Sequence, residues 1–232
     1  VHVVYNWADE TQFFPVPRDR ALAERLGMAG KLNVVYAGNI GPMQSVETLL
    51  HAADRLRDLE GVQLVIAGGG PREAEFLRLA DELKLPNVRW LGRLPLEQMN
   101  AVNALSDAMV VHLKDIPLMH STIPQKLQVA LASGRPLLVG VRGCGADLAR
   151  EAGMGMAFTP EDPDDLARVV RAFAALSPAE REAMGARGRA FYEREISLEV
   201  AASRFDTFFR QAARGGHGPA SPAALPAQGA RP

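Results

Sequence analysis

Lys31 to Leu50 reads KLNVVYAGNIGPMQSVETLL. Its first part, Asn33 to Gly38, is apolar, β-branched and ends on glycine, as a strand does. Its second part continues as Gln44 to Asp58 and sets Val46, Leu49, Leu50, Ala53 and Leu56 at helical spacing. The same order of strand, glycine turn and helix repeats downstream. Val62 to Ala67 is a strand stopped by Gly68, Gly69 and Gly70, and Pro71 suits the first turn of a helix running to Leu83. Val88 to Leu91, Ala108 to Leu113, Pro136 to Val139 and Met156 to Phe158 read as further strands. Helices over Pro95 to Ser106, Ile123 to Ala132, Ala146 to Glu151 and Pro163 to Leu176 separate or follow them. Gly134 and Gly153 stand where helices stop. Six strands alternating with helices predict a doubly wound α/β domain, its parallel sheet covered on both faces. In such sheets ligands bind at the carboxyl ends of the strands, near the switch in strand order.

Composition agrees with one soluble domain. The chain has 232 residues, 47% hydrophobic and 23% charged, enough for a sizeable core without disulfides or metals. A net charge of -1 gives no basic field for nucleic acid. The single cysteine, Cys144, forms no internal disulfide, which fits a reducing cytoplasm. No apolar run approaches bilayer length. The tail 215–232, rich in Gly, Pro and Ala, is expected to be disordered.

Three loops at strand ends carry the chemistry. Gly38, Asn39, Ile40, Gly41, Pro42, Met43 and Gln44 form a turn whose glycines let backbone amides approach an anion beside a helix N-terminus. The turn lacks the Gly-Lys-Ser/Thr ending of a Walker loop and the glycine spacing of a dinucleotide fingerprint. Gly68 to Gly70 leave room for a sugar or phosphate at the next strand end. Ser121 and Thr122 precede a helix with Pro124 near its start, which is capping chemistry. Lys126 lies in that helix's first turn, where a cation opposes the helix dipole unless an anion sits there too.

Taken in order, several segments resemble the C-terminal domain of retaining glycosyltransferases of the GT-B fold, family four. They are Asn6-Trp7-Ala8-Asp9 with Phe14-Pro15, Tyr36 to Gly41, Ile66 to Gly70, Val88 to Pro95, Ser121 to Gln128, and Leu131 to Pro136. Within that family the chain is most similar to fucosaminyltransferase-like members that build bacterial surface polysaccharides. The resemblance implies a Rossmann-like half of a GT-B fold that binds a nucleotide-diphosphate sugar, here a UDP-sugar. Gly38, Asn39, Gly41, Gln44 and Gly69 would lie by the donor pyrophosphate and sugar. Arg93 and Leu94 would flank the base, and Ser121, Thr122 and Lys126 would hold the phosphates. No metal and no cofactor beyond the donor is implied. Two departures stand out. The Arg and Lys that many members carry five residues apart in the first loop are Asn39 and Gln44. The paired glutamates fall at Ser121 and Val129, and Val129 accepts no hydrogen bond. Lys126, backbone amides and Lys114 or Arg93 are left to balance the phosphates.

By the same resemblance, residues 1–15 are an interdomain crossing segment, opening on an apolar strand. Residues 16–196 are the donor-binding domain. Residues 197–214 form a helix that returns toward an N-terminal acceptor domain, with Phe205, Phe208 and Phe209 as an aromatic stripe or as core packing. The partners expected are that domain and a saccharide or lipid-linked acceptor at the inner membrane face. The catalytic residues would lie in the other half, so this chain alone is expected not to transfer sugar. A sugar-nucleotide epimerase of the same fold, or a non-catalytic small-ligand-binding module, are the alternatives. Asp162, Asp164 and Asp165 surround a helix start and read as capping residues. His51, His112 and His120 form no zinc pattern.

Overall fold

A computed structural model describes residues 2–213, so the tail expected to be disordered lies outside the described residues. The sheet has six parallel strands: β1 (Leu32–Ala37), β2 (Val62–Ala67), β3 (Val88–Gly92), β4 (Ala108–His112), β5 (Leu137–Gly140) and β6 (Gly155–Ala157). Their order is β3-β2-β1-β4-β5-β6. It reverses direction between β1 and β4, the switch point of a doubly wound fold. The helices are α1 (Arg20–Leu26), α2 (Glu47–Arg55), α3 (Glu73–Leu83), α4 (Leu96–Leu105), α5 (Pro117–His120), α6 (Gln125–Ala132), α7 (Cys144–Ala152), α8 (Pro163–Ala175), α9 (Pro178–Glu195) and α10 (Leu198–Ala213).

The two-residue period of β1 explains the layers. Val34 and Tyr36 face one core with Leu64, Ile66 and Val110, covered by α2 residues Leu49, Leu50 and Ala53 and α8 residues Leu166, Val170 and Phe173. Val35 and Ala37 face the other way with Val65 and Leu105, beside Leu22 of α1. Further along that second face, Met109, Val111, Leu137 and Val139 pack on Leu127 and Leu131 of α6, Leu148 of α7 and Phe191 of α9. Each such side chain, fully buried, contributes about 1.5–3 kcal/mol.

Several boundaries differ from the sequence reading. α2 starts at Glu47, three residues late, because Ser45 holds a left-handed backbone (φ 44°). α6 starts at Gln125 rather than Ile123, because α5 intervenes. Residues 2–9 form no strand, which corrects the opening strand expected there. The edge strands of the sheet are β3 and β6, and the opening residues pair with neither. They pack instead: Ala8 is buried, Tyr5, Trp7 and Phe13 lean on the α6–α9 side, and the Ala8 amide donates to Tyr192 Oη (3.0 Å). On α10 only Ala201 is buried. Phe209 is 69% exposed and Phe205 41%, so core packing does not account for them. Phe208 packs against the His2 ring at a tilt of 32°.

Candidate functional site

The β1–β4 ladder ends at Val35–Met109, whereas β1–β2 pairing runs on to Ala37–Ala67. The end of β1 thus parts from β4, and a cleft of about 750 Å³ opens at the carboxyl ends of the strands. Its walls come from the turns after β1, β2 and β3, from α4 and α6, and from residues 9–13.

The first two turns are built against each other. The Gly38 amide donates to Ala67 O (2.8 Å), Ile40 N to Gly69 O (2.9 Å) and Arg72 N to Ile40 O (3.0 Å). A Cβ on Gly68 (φ 145°) would stand 1.9 Å from the Gly38 carbonyl oxygen. Gly68, which also lines the cleft, is therefore required for loop-on-loop packing. Gly38 (φ 141°) is different: a Cβ there would sit 2.4 Å from Lys126 Cε, inside the cleft. Gly69 opposes Arg93, whose Nε lies 3.7 Å from Glu73 Oε2.

Lys126 crosses from α6 to β1. Its Nζ donates to Tyr36 Oη (3.1 Å) and lies 4.5 Å from the Tyr36 ring centroid. Tyr36 Oη in turn donates to Asn39 O (2.5 Å). Burial raises the Tyr36 pKa, so the hydroxyl stays neutral and supplies no counter-charge. Burial also pushes the Lys126 ammonium down to about 8. The amides of Gln125 and Lys126 open α6 with no side-chain cap and no acid in the first turn. A half-buried cation without a carboxylate partner among the described residues, at an uncapped helix N-terminus, has the chemistry that suits an anion.

Of the residues expected at the site, Gly38, Asn39, Gly69, Arg93, Leu94 and Lys126 line the cleft. Gln44 stands one layer behind and accepts a hydrogen bond from Asn39 Nδ2 (3.2 Å) across Gly41. Where many members of the resembled family carry two cations, this chain has a neutral, hydrogen-bonded pair. Ser121 and Thr122 are not brought to the cleft. Their hydroxyls donate to Leu118 O, each at 3.2 Å, and cap nothing on α6. α5 turns them away, and this corrects both the capping and the phosphate-holding expectation. Lys114 is outside the lining as well, although its amide ties the first loop through Met43 O (2.9 Å).

Residues 9–13 and α4 contribute wall residues that were not foreseen: Asp9, Gln12, Phe13, Leu96, Met99 and Asn103. Leu96, Met99 and Asn103 fall at i, i+3 and i+7, so a polar residue on an otherwise apolar stripe was the signal available for Asn103. Beside the cleft, buried His112 accepts from Glu161 N (2.9 Å), and burial pushes its pKa down to about 4. His120 and Arg142 both hold Asp115, whose carboxyl is drawn down by Arg142 first and His120 second.

The family model described as Glycosyl transferases group 1 matches residues 20–191, most of the chain. The probable glycosyltransferase WbjE of Pseudomonas aeruginosa is 31% identical over 171 residues, 72% of this chain and 42% of that protein. A GDP-mannose-dependent monoacylated alpha-(1-6)-phosphatidylinositol monomannoside mannosyltransferase of Corynebacterium glutamicum is 28% identical over 212 residues, 89% of this chain and 55% of that one. The chain spans about half the length of the curated relatives it matches. Among solved structures, Anabaena Alr3699/HepE in complex with UDP is similar with a TM-score of 0.76 at 17% identity, over 90% of this chain and 57% of that one. At that identity the likeness is one of fold.

Proposed function

We propose, from the premise that this chain belongs to the group 1 glycosyl transferases, that its cleft grips the diphosphate of a UDP-sugar for transfer to a saccharide or lipid-linked acceptor. The observation that carries the reading is Lys126, held over Gly38 at the open N-terminus of α6. Leaving-group charge on the diphosphate would be met there by the ammonium and the Gln125 and Lys126 amides, groups already in place before the bond breaks. Arg93 adds a second cation from the turn after β3, and Leu94 offers an apolar face to the base. UDP in the HepE complex supports a uridine donor. GDP is the competitor, since the Corynebacterium relative is GDP-mannose-dependent.

Asp9 is the one carboxylate, and there is no histidine, among the described lining residues, so the cleft lacks the acid/base pair an epimerase would use. The resemblance to fucosaminyltransferase-like proteins supports transfer of a hexosyl or N-acetylaminosugar group and a role in surface polysaccharide synthesis. Acceptor binding and the retaining chemistry are assigned to a second, N-terminal half, toward which the exposed Phe205 and Phe209 of α10 would turn. No helix among the described residues is long and apolar enough to cross a membrane. The proposed location is the cytoplasm, at the inner membrane face if the acceptor is a lipid. Calorimetry with UDP, GDP and ADP tests the donor site. UDP is expected to bind most tightly of the three, and equal absence of binding for all would end the reading.

A further inference from the structure

The cleft has two chemically distinct kinds of wall. Lys126 Nζ, Arg93 and the α6 amides are donors. Elsewhere on the lining, two side-chain oxygens are buried with no hydrogen-bond partner among the described residues: Asn103 Oδ1 and Gln12 Oε1. Asn103 is 1% exposed, and it shares the lining with the apolar Phe13, Met99, Met109 and Val129. An orphaned acceptor in apolar surroundings is costly unless something donates to it. The doubly esterified diphosphate of a nucleotide sugar cannot, because it is fully ionised at neutral pH and its oxygens only accept. A nucleoside can, through its ribose hydroxyls or the imide N–H of a uracil, while its flat base covers the methionines and Val129.

We propose that Asn103, supported by Gln12, is the hydrogen-bonding anchor for the nucleoside of the donor. This places recognition on α4 and the opening segment, and it supplies the polar contact that Val129 cannot. The inference rests on the donor-site reading above, and the experiment separates the two. The whole chain and its Asn103→Leu variant are titrated with UDP, inorganic pyrophosphate and UDP-glucose. Asn103→Leu is expected to keep or raise the thermal midpoint, since the oxygen it removes has no partner in the free protein. UDP affinity should drop about tenfold, with pyrophosphate affinity unchanged, and Gln12→Met should act in the same direction. Unchanged UDP affinity, an equal loss for both ligands, or a loss seen only with UDP-glucose would overturn the proposal. So would failure of Asn103→Leu to fold together with a silent Gln12→Met. If the unmodified chain binds pyrophosphate and UDP equally well, the diphosphate grip stands and nucleoside recognition falls. If it binds neither, the donor-site reading itself falls.

Discussion

Two helices start at the carboxyl end of the same sheet and treat their free amides in opposite ways. α8 closes its own N-terminus: the Asp162 carboxylate accepts from Asp164 N (3.0 Å) and Asp165 N (2.9 Å), and those two acids fill the first turn. α6 begins after Pro124 with no side-chain cap, no acid and a lysine. The positive end of α8 is spent inside the protein. That of α6 has neither cap nor acid, carries Lys126 in its first turn, and is the proposed place for an anion. Residue types at a helix start therefore separate a self-capped end from an uncapped one, provided the loop in front does not supply the missing cap. Here Ser121 and Thr122 had that opportunity, and α5 removed it.

The contrast can be broken in graded ways. The largest effect is expected upstream of both helices, at Gly68→Ala, whose Cβ would collide with the Gly38 carbonyl oxygen. It should cost about 3 kcal/mol in urea unfolding, and nucleotide binding should fall with it because the Gly38 turn is displaced. A stable Gly68→Ala protein would show that the two turns do not hold each other.

Lys126→Met comes next. It should weaken UDP binding by about 1.5–3 kcal/mol, a loss of roughly tenfold to a hundredfold, whereas Lys114→Met should change little because Lys114 does not line the cleft. The same site has a pH signature. With its pKa pushed from 10.5 to about 8 by burial, Lys126 loses its charge as pH rises past about 8, and diphosphate affinity should fall there. Stability should move the other way between those two values, since the unfolded chain then holds more protons than the folded one. In Lys126→Met both trends should flatten.

Asp162→Ala tests the closed end. It should cost about 1 kcal/mol of stability and leave UDP affinity untouched; a drop in affinity would mean the two helix ends are coupled. The smallest effect is expected at Gln125→Asp, which gives α6 the acid it lacks. The free protein should gain about 0.3–1 kcal/mol while UDP binding weakens, because an internal anion now competes for the same amides. Stability and affinity improving together would refute the idea that the α6 end is kept open for a ligand.

His112 adds a stability prediction with no binding component. Its pKa is pushed to about 4 by burial, below the ordinary value of 6.5. The imidazole is neutral in the fold, so stability should be full above pH 6.5 and decline as pH falls toward 4, where the unfolded state binds the extra proton. Acid unfolding of His112→Asn should lack that limb.

Local sequence signals alone were enough for the layers of this protein and for one side of the cleft. β-branched runs of strand length, helical stripes between them and glycines at their ends are local signals. They placed six strands, the turns at Gly38 and Gly69, and Lys126 at a helix start. Capping at Asp162 was equally readable, because both partners lie within three residues. Tertiary structure decided what depends on distant segments meeting. Only the β1–β4 parting opens the cleft, only loop-on-loop contact makes Gly68 obligatory, and only α5 turns Ser121 and Thr122 aside. Asp9, Gln12 and Phe13 reach the wall because the opening segment packs instead of pairing, and Asn103 because α4 turns that stripe inward. Periodicity reports which face of an element is buried; whether the burial is against core or against a cleft depends on what lies opposite, and that is set by chain segments tens of residues away.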